Sequence, residues 1–131
     1  MALDVVSDYI SEVRTLLQDS VEPFRYPDAD LVAALNNAMI EGRRMRADLF
    51  VYRGHGRTPS FSDNDATEVE MEEPFRVAFV YGATAFALFR DQEDIEDERA
   101  SSFLNTFNSM LLGPRQSPIG GRPSGQQQAR R

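Results

Sequence analysis

The amino-acid sequence predicts an all-α protein: a four-helix bundle-like domain over residues 1–113 and an extended C-terminal tail over residues 114–131. Three observations predict it. Apolar residues recur at steps of three and four in four separate stretches. Proline, glycine and acidic residues punctuate the ends of those stretches. The segment 113–131 contains one large apolar residue, Ile119, and no acid.

The first helix is expected from about Asp4 to Asp19, where Val5, Val6, Tyr9, Ile10, Val13, Leu16 and Leu17 share a face. Ser7, Asp8, Ser11, Arg14, Thr15 and Gln18 fall on the other face. A short connection containing Pro23 follows. The second helix is expected from Pro27 or Asp28 to about Arg46, with Asp28 and Asp30 at the positive end of its dipole and Arg43, Arg44 and Arg46 at the negative end. Leu31, Leu35, Ala38, Gly42 and Met45 form its buried stripe, and Ile40 lies opposite, where another subunit would meet it.

Residues 47–73 contain Gly54, Gly56, Pro59 and a polar run from Ser60 to Thr67. That composition predicts an irregular loop or a small hairpin, with Leu49–Tyr52 and Glu68–Met71 as its arms. The third helix starts at Pro74 and reaches about Asp91. It carries two apolar stripes: Phe75, Phe79, Gly82, Phe86 and Phe89 on one side, and Val77, Tyr81 and Leu88 about 200° away. Such a helix is either central or has one face against a neighbouring subunit, which makes Val77, Tyr81 and Leu88, with Ile40, the candidate subunit interface. The fourth helix ends at Leu112, before Gly113 and Pro114. Leu16, Leu35, Phe79, Phe86, Phe103 and Phe107 are the expected core.

Composition excludes several kinds of chemistry. With no Cys and a single histidine, His55, there is no disulfide, zinc–thiolate site or His cluster. His55 lies between Gly54 and Gly56 with no orienting partner in view, so it reads as a turn residue. Asp63-Asn64-Asp65 resembles the opening of a calcium loop, yet Glu68 stands where its glycine is needed and Pro74 where its last glutamate is needed. The acids Asp91, Glu93, Asp94, Glu96, Asp97 and Glu98 read as a solvated helix start. No enzyme activity, cofactor or metal is expected. The most apolar stretch, Val77–Phe89, has thirteen residues. As a helix it rises about 20 Å, short of a ~30 Å hydrocarbon core, so no membrane span is expected. Nor does the N-terminus show a basic region followed by an apolar run.

The charge is segregated. All 14 basic residues are Arg. Residues 1–112 hold ten Arg and all 21 acids, a balance of −11, whereas 113–131 carry +4 through Arg115, Arg122, Arg130 and Arg131. The tail has almost nothing to bury, so it is expected to be disordered in a free subunit. It reads as a docking arm for a protein partner, a grip on nucleic-acid phosphates, or a solubilising end. The lack of aromatic residues disfavours specific nucleic-acid recognition.

The order of these features resembles the head–tail adaptor (connector) proteins of tailed bacteriophages. The residues that carry the resemblance are Val13-Arg14-Thr15-Leu16-Leu17-Gln18-Asp19, Phe24-Arg25-Tyr26-Pro27-Asp28-Ala29-Asp30-Leu31, and Leu35-Asn36-Asn37-Ala38 followed by Arg43-Arg44-Met45-Arg46-Ala47-Asp48-Leu49-Phe50. Beyond the loop they are Tyr81-Gly82-Ala83-Thr84-Ala85-Phe86, Asp91-Gln92-Glu93-Asp94, and Ala100, Phe103, Phe107, Leu111, Leu112 and Gly113. The resemblance spans residues 5–113, and the loop over 47–73 is shorter than in many relatives.

It implies an α-helical structural protein of the virion head–tail junction, made in the host cytoplasm. Such proteins form a homo-oligomeric ring, commonly dodecameric, beneath the portal protein. The ring joins the portal to a downstream tail or nozzle protein and continues the DNA channel without sequence-specific binding. It further implies a portal-docking tail, here Pro114, Arg115, Pro118, Ile119, Arg122, Arg130 and Arg131. The alternative from another class is a small helical regulatory binding protein, of antitoxin or anti-repressor type, whose tail wraps its target.

Overall fold

A computed structural model of the chain describes residues 2–51, 58–90 and 97–113. His55, the acidic run 91–96 and every candidate docking residue of the tail lie outside the described residues. The elements are α1 (Val6–Leu17), α2 (Asp28–Met45), a single turn α3 (Asp48–Val51), α4 (Glu73–Arg90) and α5 (Asp97–Leu112). The fold is all-α, with no strand among the described residues.

The helix ends follow the punctuation. Asp8 accepts the backbone N–H groups of Asp4 and Val5 at 3.1 and 3.2 Å and so closes the first turn of α1. Gln18 takes a left-handed conformation (φ 60°), and the next N–H, from Asp19, returns to the Arg14 carbonyl at 2.8 Å. Gly113 (φ 80°) ends α5, where the sequence places the stop.

The long helices alternate in direction. Arg76 at the start of α4 pairs with Asp4 ahead of α1 at 2.8 Å, and Arg90 at the end of α4 lies 3.9 Å from Asp30 at the start of α2. Arg46 past the end of α2 donates to the Leu111 carbonyl near the end of α5 at 2.6 Å. Thus α1 and α4 run one way, and α2 and α5 the other.

α4 is the central helix: α1, α2 and α5 all pack against it, while the backbones of α1 and α5 stay apart and are bridged by the Arg99 side chain. The central position accounts for Leu88 of the second stripe, which is enclosed, whereas Val77 of the same stripe stays exposed. Phe79 lies at the middle of the core, edge-on to Phe107 at 5.5 Å and to Phe50 at 6.2 Å between centroids. Its ring fits because residue 42 is glycine; a Cβ there would come within 2.7 Å of the ring's Cζ. Gly82 likewise admits the Phe107 ring.

Several core and interface assignments require correction. Leu35, Phe79 and Phe107 are fully buried, but Leu16, Phe86 and Phe103 are only half-buried at the edge of the core. Along α4 Phe79 points inward, Phe86 is half-buried, and Phe89, ten residues on and about 80° around the helix, is 47% exposed. Leu16 and Phe103 border the gap between α1 and α5. Leu88 is 4% exposed within its own chain, so it cannot serve as a subunit contact.

The loop between α2 and α4 also differs from a hairpin. Leu49 and Phe50 belong to the turn α3, while the partner of Glu68 is Val5, in an isolated antiparallel bridge. Val6 donates to the Thr67 carbonyl, Ser7 to Asp65 and Val69 to Asp4, each at 2.9 Å. On its outward path the loop is held by Asn36 of α2, whose side chain exchanges two hydrogen bonds with the Phe61 backbone at 2.8 and 2.9 Å. The loop thus bridges α1 and α2, which touch each other less than each touches α4. Phe61, Val69 and Met71 from the loop are buried in the core.

Candidate interaction surfaces

The buried polar cluster of the domain centres on Arg14, a residue that helical periodicity assigns to the solvent face. Its guanidinium spans two acids, Asp19 at 2.9 Å and Asp28 at 2.6 Å, and lies 3.8 Å over the Phe24 ring. Asp19 in turn accepts the backbone N–H groups of Arg25 and Tyr26 at 2.8 and 3.0 Å. Arg14 and Asp19 are both buried. The hydrogen bond from Arg14 holds the Asp28 carboxyl below its ordinary range, helped by one from Asn64 and opposed by partial burial. A shallow cleft opens here between Ser7, Ser11, Thr15 and Ser20, but the charges on its floor are committed to each other. The arrangement fixes the turn between α1 and α2. The sequence signal was an Arg followed by two acids with aromatic residues between them.

Other arginines work in the same way. Arg46 reaches Leu111 and Asp48 and lies over Phe75, Arg76 holds the Met71 carbonyl and Asp4, and Arg99 of α5 donates to the Leu16 carbonyl of α1. A planar guanidinium with five donors suits such bridges better than a lysine ammonium does. This accounts for much of the all-Arg composition of the body. It also turns these cations inward, while Glu22, Asp63, Glu68, Glu70 and Glu73 lie on the surface.

Asn64 and Asp65 are engaged within the protein itself. The Thr67 hydroxyl and then the Thr67 N–H, at 3.0 Å, donate to Asp65 and lower its carboxyl pKa, and Asn64 points to Asp28. Among the described residues no group of three or more acids or histidines is placed to hold a metal ion. Nor is any helix among them long and apolar enough to cross a membrane.

The remaining candidate interface residues fall on two sides of the molecule. Ile40 is 57% exposed on α2, opposite the stripe that packs on α4. Val77 is 45% exposed on the other side of α4, one turn before Tyr81, and Tyr81 packs on Phe103 of α5 at 5.9 Å. Two turns beyond Phe103, on the same face of α5, Met110 is 40% exposed. Because α4 and α5 are antiparallel, Val77 and Met110 lie toward the same end. Tyr81 and Phe103 pack together while Val77 and Met110 stay exposed, and Arg99 reaches from α5 across to the Leu16 carbonyl of α1. Beyond Met110, the outer face of α5 is polar, through Ser101, Ser102, Asn105 and Ser109.

Comparison of the chain with family models, with curated proteins and with solved structures finds no match. The functional reading therefore rests on the residues themselves.

Proposed function

We propose that this chain is a structural head–tail adaptor of a tailed bacteriophage, forming a ring beneath the portal protein and carrying the DNA channel on toward the tail. The observation that carries the proposal is the division of charge. A helical domain with a balance of −11 commits many of its arginines to bridges between its own elements, then gives way at Gly113 to an acid-free, arginine-rich tail. An acidic wall repels the phosphate backbone, so DNA slides past it without being retained. An Arg-rich arm suits a groove with acidic or aromatic walls, because guanidinium pairs with carboxylates and stacks on rings. The ordered sequence features shared with the adaptor family add to this reading.

In the assembled virion the tail docks on the portal, with Ile119 as the apolar anchor. Pro114, Pro118 and Pro123 keep the segment extended and reduce the entropy lost on docking. Arg115, Arg122, Arg130 and Arg131 supply the charge. The downstream partner is a tail or nozzle protein.

Removal of residues 114–131 tests the assignment. The truncated chain should keep its helical circular dichroism and melting temperature, because the core lies within residues 3–111. It should lose binding to the portal protein of the same genome in a pull-down. Equal binding by the truncated and full chains would overturn the docking role of the tail.

A further inference from the structure

The start of α1 has no side-chain cap, because Val5 holds the cap position. Val6 and Ser7 instead donate to the Thr67 and Asp65 carbonyls, and Val69 donates back to Asp4, each at 2.9 Å. The N–H groups that a helix start leaves open are thus satisfied by the crossing loop. Past this point Val69 and Met71 are buried while Glu68 and Glu70 are exposed, the alternation of an extended segment. Arg76 clasps the far end, donating to the Met71 carbonyl at 2.9 Å and to Asp4 at 2.8 Å.

Tyr9, one turn into α1, is fully buried, and among the described residues its hydroxyl has no hydrogen-bond partner. Burial pushes its pKa up; Arg76 opposes that shift, while Asp4 and Asp8 add to it. Those three side chains secure the crossing and the start of α1, so the hydroxyl lies close to both. A buried polar group without a partner penalises the closed arrangement, and contact with water relieves the penalty. The crossing closes on two buried apolar side chains and three backbone bonds, whereas the long helices share the whole core around α4. Its hold is therefore a fraction of the global stability.

We propose that residues 65–71 form a latch that lifts from the start of α1 as one unit while the long helices stay packed, uncapping α1 and admitting water to the Tyr9 hydroxyl. The lifted segment is bounded by the two hydrogen bonds between Asn36 and Phe61 and by the start of α4 at Glu73. Lifting brings Val69 and Met71 out of the core, so the subunit has a second form that presents a two-faced extended segment in place of a covered helix start. Every group in the latch belongs to one subunit, so the proposal does not depend on a portal or on a ring.

Native-state hydrogen exchange of the full chain, followed by NMR, tests the latch. The amides of Val6, Ser7 and Val69 should exchange through a common opening, more than about tenfold faster than core amides such as those of Leu35 and Ala83. Tyr9→Phe deletes the unpartnered hydroxyl and keeps the ring. It should slow the latch amides and the core amides by the same several-fold factor, because the latch opening already releases that group. The pair Val5→Cys/Glu68→Cys supplies a lock. These two residues face each other between two backbone bonds, an arrangement that brings opposed Cα atoms to about 4.5 Å, within disulfide reach. The chain contains no cysteine of its own. Oxidation should bring the latch amides down to the rate of the core amides, and reduction should restore the faster exchange.

Four results would overturn the proposal. Latch amides that exchange only with global unfolding would mean that no separate opening exists. Three unrelated rates would mean that each bond frays alone. A Tyr9→Phe variant that slows only the core amides would show that the opening does not reach the hydroxyl. Equal exchange in the oxidised and reduced cysteine pair would place the opening away from the start of α1.

Discussion

Phe79→Ala is expected to destabilise the domain by about 3–5 kcal/mol, a large part of the stability of a small domain. Phe79 has no exposed surface, contacts two other aromatic rings edge-on, and lies against Gly42 of α2, so its removal opens a cavity where α2, α3, α4 and α5 converge. The neighbouring helices cannot close that cavity cheaply, because Arg46 ties the ends of α2 and α5 together beside it. The half-buried Phe86, two turns further on, should cost clearly less when replaced by Ala. Chemical denaturation of both variants checks the pair. A loss below about 1 kcal/mol at Phe79 would contradict the central position of α4.

Arg14→Ala should cost a similar amount, about 3–5 kcal/mol, through a different mechanism. The substitution leaves Asp19 buried without its cation, although two backbone N–H groups still point at it. It also removes the packing of the guanidinium on Phe24. Arg14→Lys should recover little, because an ammonium cannot span Asp19 and Asp28 as the planar fork does. In an Asp19→Asn background the cost of Arg14→Ala should fall markedly, since the stranded charge is gone. A double-mutant cycle by denaturation measures that coupling, and additive losses would mean that Arg14 acts only through packing.

These two residues show what the sequence discloses and what it conceals. Phe79, Leu35 and Phe107 follow from periodicity because each sits at the middle of an apolar stripe, where a small error in helix phase does not matter. Phe86, Phe103 and Leu16 lie at stripe edges, where burial depends on which neighbours touch, and the backbones of α1 and α5 do not pack against each other. Arg14 was hidden because its partners lie in the following connection and at the start of the next helix, outside any pattern of single-helix spacing. The crossing loop was legible as irregular from Gly54, Gly56 and Pro59. Its burial of Phe61, Val69 and Met71 was not, because isolated apolar residues in a polar run have no period.

The exposed apolar residues were only half legible. Val77 and Tyr81 stood out as a second stripe on α4, but Leu88 appeared equivalent to Val77. Antiparallel packing separates them: α5 covers Tyr81 in part and leaves Val77 open, while Leu88 is enclosed by its own chain. The tail's charge was readable from composition alone, since it follows from the lack of any acid beyond residue 112.

The most direct test of the adaptor assignment is native mass spectrometry of the full chain mixed with the portal protein of the same genome. The account predicts a single closed complex in which a complete ring of this chain is added to the portal ring. A chain that ignores the portal and persists as a stable dimer at every concentration would contradict it.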